Sequence, residues 1–394
     1  MAALEDLGFE EALAVVRRHA LALDAEPVPL ERVAGRLLAA DVTTPVDVPA
    51  FTNSAMDGYA LRGADAPGEL RVVGESAAGL PWSGRLAPGE AARISTGATL
   101  PDAADAVVAL EEVTERDGTL SVPFAVPAGR HVRHRGEVLR AGDVLVHAGA
   151  AVAPHEVGVI AASGLPAVDC LRTPRVALLS SGDELVPLGG TLRPGAVFDS
   201  NRYGLRAQAE AAGAEVAAWD TVRDEPGAVR EAIGRLLGDE GDGPDLLVTV
   251  GGVSVGPHDH LKPALADCGV EEVFWRARIK PGHPVWFGIR GRQRVLGLPG
   301  NPVSAAVCFH LFGRPLLGRD ERWELRAPLA GAYRRRPGRD EFIRCRETAG
   351  GLVPLPNQDS HAISSLAGAS VLAWVPAERA ELAAGDELAV SRLG

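Results

Sequence analysis

Residues 245–269, DLLVTVGGVSVGPHDHLKPALADCG, run from an unbroken apolar stretch through a glycine-rich turn into a segment of helical composition. A short apolar run bounded by turn signals predicts a buried strand, and glycines let the chain reverse sharply into the helical segment. The same alternation extends in both directions over 174–317. Strand-like VALLSS (176–181), EVAAWD (215–220), EEVFWRARI (271–279), PVWFGI (284–289) and RVLGLPG (294–300) are interleaved with helix-like NRYGLRAQAEAAG (201–213), PGAVREAIGRLL (226–237) and NPVSAAVCFHLFGRPLL (301–317). Strands alternating with helices predict βαβ units and a mostly parallel sheet covered on both faces, with ligands at the carboxyl ends of the strands.

Outward from this α/β core the texture changes. Leu7, Leu13, Val16, Ala20 and Leu23 recur at helical spacing, and LERVAGRLLA (30–39) repeats the pattern, so the first 40 residues predict two amphipathic helices. Over 45–140 short β-prone pieces such as RVVGE, ADAVVALEEV and GTLSVPFAV alternate with Gly, Pro and Asp-Gly turns and predict a β-rich unit. APHEVGVIAASG (153–164) reads as a helix with Pro154 in its first turn and Gly164 beyond its end. The last 70 residues, with DEFIRCRE, SVLAWVP and GDELAVSRL, predict a small β-barrel.

Composition bounds the function. At 394 residues, 46% hydrophobic and 23% charged, the chain is an ordinary globular protein of several domains. A net charge of -12 argues against a nucleic-acid footprint or an anionic membrane surface, so an anionic substrate needs local cations or a metal. Cys170, Cys268, Cys308 and Cys345 form no CxxC pair, which disfavours structural zinc and a disulfide framework. The acidic start lacks a basic region before its apolar stretch, and no apolar run approaches bilayer length; a cytoplasmic protein is expected.

Candidate chemistry gathers at the predicted strand ends. Gly251, Gly252 and Gly256 allow close backbone approach to an anion, although the turn fits neither a Walker A loop nor a dinucleotide fingerprint. Gly252 to Gly256 spells GxSxG around Ser254, but Asp259 and His260 lie too close to complete a hydrolase triad. Asp183 and Glu184 in SSGDEL, Asp224 in TVRDEPGAV and Asp259 place acids after three strands; Asp259 is equally at home as a helix cap, and Asp183 with Glu184 reads somewhat better as a capping pair on a short helix. Carboxylates gathered in one crevice would call for a hard cation such as Mg2+. Lys280 in RIKPGHP and Asn301 with Ser304 in LPGNPVS offer a charge and hydrogen bonds, or simply a turn and a cap. Asp57 in FTNSAMDGYAL and Thr96 in STGATLP are either ligand-loop or turn residues. Arg334, Arg335, Arg336, Arg339, Arg344 and Arg346 against Asp340 and Glu341 read as a solvated face, or as a polyanion-binding patch.

In their order along the chain, FTNSAMDGYAL, STGATLP, RHRGE, LSSGDEL, GGVSVGPHDHLK, IKPGHP and LGLPGNPVSA resemble the molybdopterin molybdenumtransferase family, which includes bacterial MoeA and the E domain of gephyrin. The resemblance implies an elongated four-domain homodimer: 1–44 with 141–172 as an extended N-terminal region, 45–140 as an inserted β-rich domain, 173–320 as the molybdopterin-binding α/β domain and 321–394 as a C-terminal β-barrel. It implies the last step of molybdenum cofactor assembly, in which adenylylated molybdopterin and molybdate react with Mg2+ present and AMP leaves. It also implies Glu184, Asp224 and Asp259 at the metal and phosphoanhydride, and Lys280 and Ser304 on anionic groups. Asp57 and Thr96 would come from the opposite subunit. Gly251, Gly252, Ser254, Gly256, Arg276, His283, Pro299 and Asn301 would complete the binding loops. The preceding adenylyltransferase is an expected partner.

Three positions depart from the family pattern: Val138 where an acid often follows RGE, Arg276 for a lysine, and His283 for the second lysine of the KPGKP-like turn. The arginine exchanges a point charge for a fork, and the histidine makes the charge pH-dependent. Two other functions compete with molybdenum insertion, a molybdopterin adenylyltransferase sharing the glycine-loop architecture and a pterin-binding scaffold without catalysis.

Overall fold

The computed structural model describes residues 3–239, 242–252, 260–320 and 323–393. It comprises two compact units, Met1–Asp24 with Arg172–Gly394, and Ala25–Leu171.

The first unit is built on a seven-stranded sheet with spatial order Leu4–Leu7, Glu271–Ala277, Trp286–Arg290, Gln293–Leu298, Leu246–Val250, Arg175–Ser181, Glu215–Val222. The last four strands of that order are mutually parallel. Trp286–Arg290 runs against both of its neighbours, because only Gly291 and Arg292 separate it from Gln293–Leu298 and a crossover needs far more chain. Strand alternation divides the core in two. Leu246, Val248 and Val250 pack with Leu205, Phe274, Val303 and Phe309 on one face, while Leu247 packs with Val229, Ile233, Leu261 and Leu265 on the other. Helices Ser200–Ala211 and Pro302–Cys308 cover the first face, and Pro226–Leu237 and Leu261–Asp267 the second. Because the four strands are parallel, their carboxyl ends and the loops after them emerge along one edge.

Only one of the two expected N-terminal helices forms. Phe9–Arg18 buries Phe9, Ala12, Leu13, Val15 and Val16, whereas 30–39 holds a single 3-10 turn, Leu30–Arg32, after which Leu37 and Leu38 bridge to Ala151 and Cys170. The apolar spacing over 30–39 serves short extended pieces instead: Val28, Val33 and Leu38 pack with Val152, Ile160 and Cys170, and Pro27 and Pro29 favour an extended approach. Residues up to Asp24 pack with the α/β unit, through the strand Leu4–Leu7 and the helix after it.

The second unit contains a six-stranded sheet ordered Ala106–Ala109, Gly58–Leu61, Glu90–Ile94, Gly68–Ser76, Thr119–Val122, Thr114–Arg116, around Tyr59, Leu61, Leu70, Val108 and Leu120. Beside it Ala25–Pro29 pairs with Ala167–Leu171 and Val42–Thr43 with Val144–Val146, under the helix Pro154–Ala162.

The C-terminal strands of the first unit close on themselves. Asp340–Thr348 pairs with Val371–Val375 and Gly351–Pro354, Glu387–Arg392 joins Val371–Val375 to Arg326–Pro328, and the Leu329 to Leu352 bridge shuts the barrel. Ile279–Lys280, from the α/β part, adds a parallel strand beside Asp340–Thr348. The arginine-rich stretch is therefore no uniform solvated face: Arg344 is fully buried and the Arg335 side chain is 2% exposed. All four cysteines are free, and among the described residues no helix is long and apolar enough to cross a membrane.

Candidate active site

Four strand-end loops meet at the carboxyl edge of the α/β sheet. The Gly251 N–H donates to the Leu298 carbonyl at 3.1 Å, and the Gly182 N–H to the Val222 carbonyl at 3.1 Å. Asn201 Nδ2 donates to the Gly300 carbonyl at 2.7 Å. Gly251 has φ +91° and a Cβ there would stand 2.7 Å from the Ser181 carbonyl oxygen, so only glycine lets these backbones approach. Its N–H is already spent on Leu298, so Gly251 serves by shape rather than as a donor to ligand. These bonds bring Glu184, Asp224, Gly251, Gly252, Pro299 and Asn301 to neighbouring loops. Ser254, Gly256 and Asp259 lie outside the described residues.

A buried carboxylate that the sequence did not single out ties this edge together. Asp199, 4% exposed, accepts from Ser180 Oγ at 3.3 Å, Thr221 Oγ1 at 3.1 Å and the Arg202 N–H at 3.2 Å. It thus clamps the ends of two adjacent strands and caps Ser200–Ala211. The available signal was its place just ahead of a helical run, where Asp is a preferred cap.

The acids at this edge are open to solvent. Glu184 is exposed and Asp224 half-buried, while Arg223 lies 3.2 Å from Asp183 and 3.6 Å from Glu225. Part of the like-charge crowding that argued for a cation is thus relieved by Arg223, through exposed pairs of small worth. Among the described residues no three His, Cys, Asp or Glu side chains gather as a metal cage. Two carboxylates on adjacent loops still suit Mg2+, which keeps much of its water and binds through one or two carboxylates plus substrate phosphate oxygens.

A second group of residues sits where the α/β part meets the barrel. The helix Pro302–Cys308 links the two groups: its cap Asn301 donates through Nδ2 to Ser360 Oγ at 3.2 Å, and it packs on the turn Ile363–Ser365. Ser304, on this helix, is 2% exposed. The turn after Lys280 lies against the same helix, since a Cβ on Gly282 would meet Cys308 Sγ at 2.1 Å and the Ser304 carbonyl at 3.7 Å. Lys280 is half exposed, with Nζ 2.8 Å from Glu341 Oε1. Near it on the barrel, Arg344 Nε donates to Ser365 Oγ at 3.1 Å, and its other described partners are the carbonyls of Phe342 and Asp359 at 3.5 and 3.4 Å. Burial lowers the pKa of this guanidinium, whose nearest partners are neutral oxygens. Sequence reading placed Arg344 in a charge run and gave it no individual role.

Arg276 and His283 stand further along the sheet. Arg276 stacks on Trp275 at 3.9 Å from the ring centre and faces Glu5 at 3.5 Å. His283 Nδ1 donates to the Ala277 carbonyl at 2.9 Å and is 3.8 Å from Asp6. Arg276 ends a strand four positions from Arg175–Ser181 in the sheet, on the order of 19 Å. The structure does not bring Arg276 to Glu184.

In the other unit Asp57 and Thr96 are paired. Asp57 Oδ1 accepts from the Thr96 N–H at 2.7 Å, because Gly58 and Ile94 face each other in antiparallel strands and the residues just beyond them must meet. Val138, the missing acid of RGE, is 70% exposed, and Glu137 caps its own turn at the His134 N–H, 2.7 Å.

Three family profiles match nearly end to end: the MoeA N-terminal region (domain I and II) over 7–164, a probable molybdopterin binding domain over 177–319, and the MoeA C-terminal region (domain IV) over 326–393. The chain is 36% identical to a molybdopterin molybdenumtransferase of Synechococcus elongatus, covering 98% of each, and 38% identical to that of Haemophilus influenzae, covering 74% of this chain and 71% of the relative. A solved MoeA molybdopterin biosynthesis protein from a Pyrococcus species superposes with TM-score 0.84 at 30% identity, covering 99% of both chains; a second, from Pyrococcus horikoshii, gives 0.85 at 26%, covering 98% of this chain and 100% of that one.

Proposed function

Because the chain belongs to the molybdopterin molybdenumtransferase (MoeA) family, we propose that its carboxyl-edge loops bind adenylylated molybdopterin and that transfer of molybdenum releases AMP. It is a transferase that inserts molybdenum into molybdopterin in cofactor biosynthesis. The observation that carries the finer reading is the joining of four strand-end loops around Glu184 and Asp224. An anionic, phosphate-bearing ligand suits the glycine turn after the strand Leu246–Val250, at the edge where such sheets bind ligands. Glu184 and Asp224 would hold Mg2+, which supplies charge neutralisation at the phosphoanhydride. Lys280 holds an anionic group of the substrates at the barrel side, where a lysine gives a point charge, whereas Ser304, 2% exposed within the helix Pro302–Cys308, packs beneath that turn and is set aside as a ligand contact. In the homodimer we propose, Asp57 and Thr96 of the partner subunit complete the cleft. In this reading the protein works in the cytoplasm, downstream of the adenylyltransferase that makes its substrate.

Incubating the purified chain with adenylylated molybdopterin and Mg2+, with and without molybdate, tests this reading. AMP release that depends on molybdate is expected. Adenylylation of free pterin from ATP would instead identify an adenylyltransferase, and binding without either reaction a scaffold.

A further inference from the structure

We propose that Glu341, on the first long strand of the barrel, is a positioning residue for Lys280, so that the barrel sets where the lysine of the α/β part presents its charge. The proposal rests on the reading of Lys280 as an anion-holding group. The two residues are brought together by backbone register: Ile279–Lys280 lies parallel to Asp340–Thr348 with Lys280 opposite Glu341. The Glu341 side chain is 2% exposed while that of Lys280 is 50% exposed. The carboxylate therefore sits behind the ammonium, and the ammonium sits at the boundary with solvent.

Among the described residues Lys280 is the cation closest to Glu341. Arg335 approaches Oε2 at 3.7 Å, but its guanidinium is already spent on three carbonyls, those of Arg379, Arg339 and Pro376, at 2.8, 2.5 and 2.6 Å. A carboxylate taken out of water needs close compensation, and Lys280 at 2.8 Å is the nearest source. At 2.8 Å the ammonium donates to Oε1, and because a lysine carries three N–H donors, two remain for a ligand. A lysine stem on the surface samples many rotamers. Anchoring its tip from the buried side removes that freedom before the anion arrives, which is how preorganisation raises affinity.

The test is a double-mutant cycle on the full chain with Glu341→Gln, Lys280→Ala and both together. Binding of molybdate and of AMP is measured by calorimetry, and kcat and KM by molybdate-dependent AMP release. Glu341→Gln is expected to weaken binding of one of the two probes by about tenfold, with the same KM rising and kcat less affected. In the Lys280→Ala background it should then change nothing further. Equal losses in both backgrounds would make Glu341 a purely structural residue and overturn the proposal. So would wild-type binding in Glu341→Gln alongside a clear loss in Lys280→Ala. If Lys280→Ala itself binds and turns over normally, the assignment of Lys280 fails first, which separates the two readings. Should Glu341→Gln not fold, Glu341→Asp replaces it, with the carboxylate kept but withdrawn by one methylene, and the same non-additivity is required.

Discussion

At the carboxyl edge of the sheet Arg223 lies 3.2 Å from Asp183 with side chains 74% and 58% exposed, whereas at the barrel Lys280 lies 2.8 Å from a Glu341 carboxylate only 2% exposed. The distances are similar and the physics is not. The first pair is bathed in water and screened by salt, so its charges are free to be recruited by a cation or a phosphate. The second has one partner in low dielectric, where a charge left alone is costly, so the pair persists and fixes geometry. The edge thus offers exchangeable ligands and the barrel side a preset cation.

The sharpest way to break this comparison is to remove the preset cation. Lys280→Ala should lower kcat/KM by on the order of 100-fold, the usual cost of deleting one charged stabiliser in a site. A change below threefold would mean that the exposed edge does the work alone. Next in size is stability. Glu341→Gln should cost about 2 kcal/mol in urea unfolding, less than for a wholly buried pair because Lys280 is half exposed. Asp183→Asn should stay within about 0.5 kcal/mol. Equal costs at the two positions would erase the distinction.

The contrast also explains what was legible in the sequence. TVRDEPGAV and LPGNPVS announce their place because strand, turn and helix succeed one another locally, while SSGDEL follows a strand but leads into the short strand Leu185–Val186 instead of the short helix its acids could have capped; the parallel sheet brings all three loops to one edge. The pairing of Lys280 with Glu341 depends on a strand contact across 61 residues of chain, and neither residue carries a local sign of it. Arg344 likewise reads as one charge in a run until the barrel buries it. Residues 30–39 misled for a related reason: period-matched leucines can serve a helix or a set of isolated bridges, and only the partners Ala151 and Cys170 decide. Asp199 went unnoticed: its place ahead of a helical run is a signal for a cap at most, and its second use, joining Ser180 to Thr221, needs the two strands side by side.

A third test asks whether buried groups on the barrel side govern the acid response. His310 packs under the barrel with Nε2 2.5 Å from Ser391 Oγ, and burial, with Arg314 nearby, lowers its pKa to about 3. Its pKa is lowered on folding, so the unfolded chain binds the extra proton first. The neutral histidine therefore contributes stability that is intact above about pH 6.5 and is lost as pH falls toward 3. His310→Gln should flatten the slope of unfolding free energy against pH across that window. A slope unchanged in the variant would assign the acid response to the exposed carboxylates of the strand-end edge.

The smallest expected effect lies at His283, three residues beyond Lys280 on the same turn. Nδ1 donates to the Ala277 carbonyl at 2.9 Å, which in the neutral ring leaves Nε2 as a lone-pair acceptor and a poor neighbour for an anion. Asp6 Oδ1 lies 3.8 Å from Nδ1. A lysine would donate and keep its charge throughout the working range. His283→Lys should therefore tighten molybdate or pterin binding about threefold, measured as Kd by calorimetry. An unchanged Kd would show that His283 does not face the anion, and would leave Lys280 with Glu341 as the whole of the preset charge on that turn.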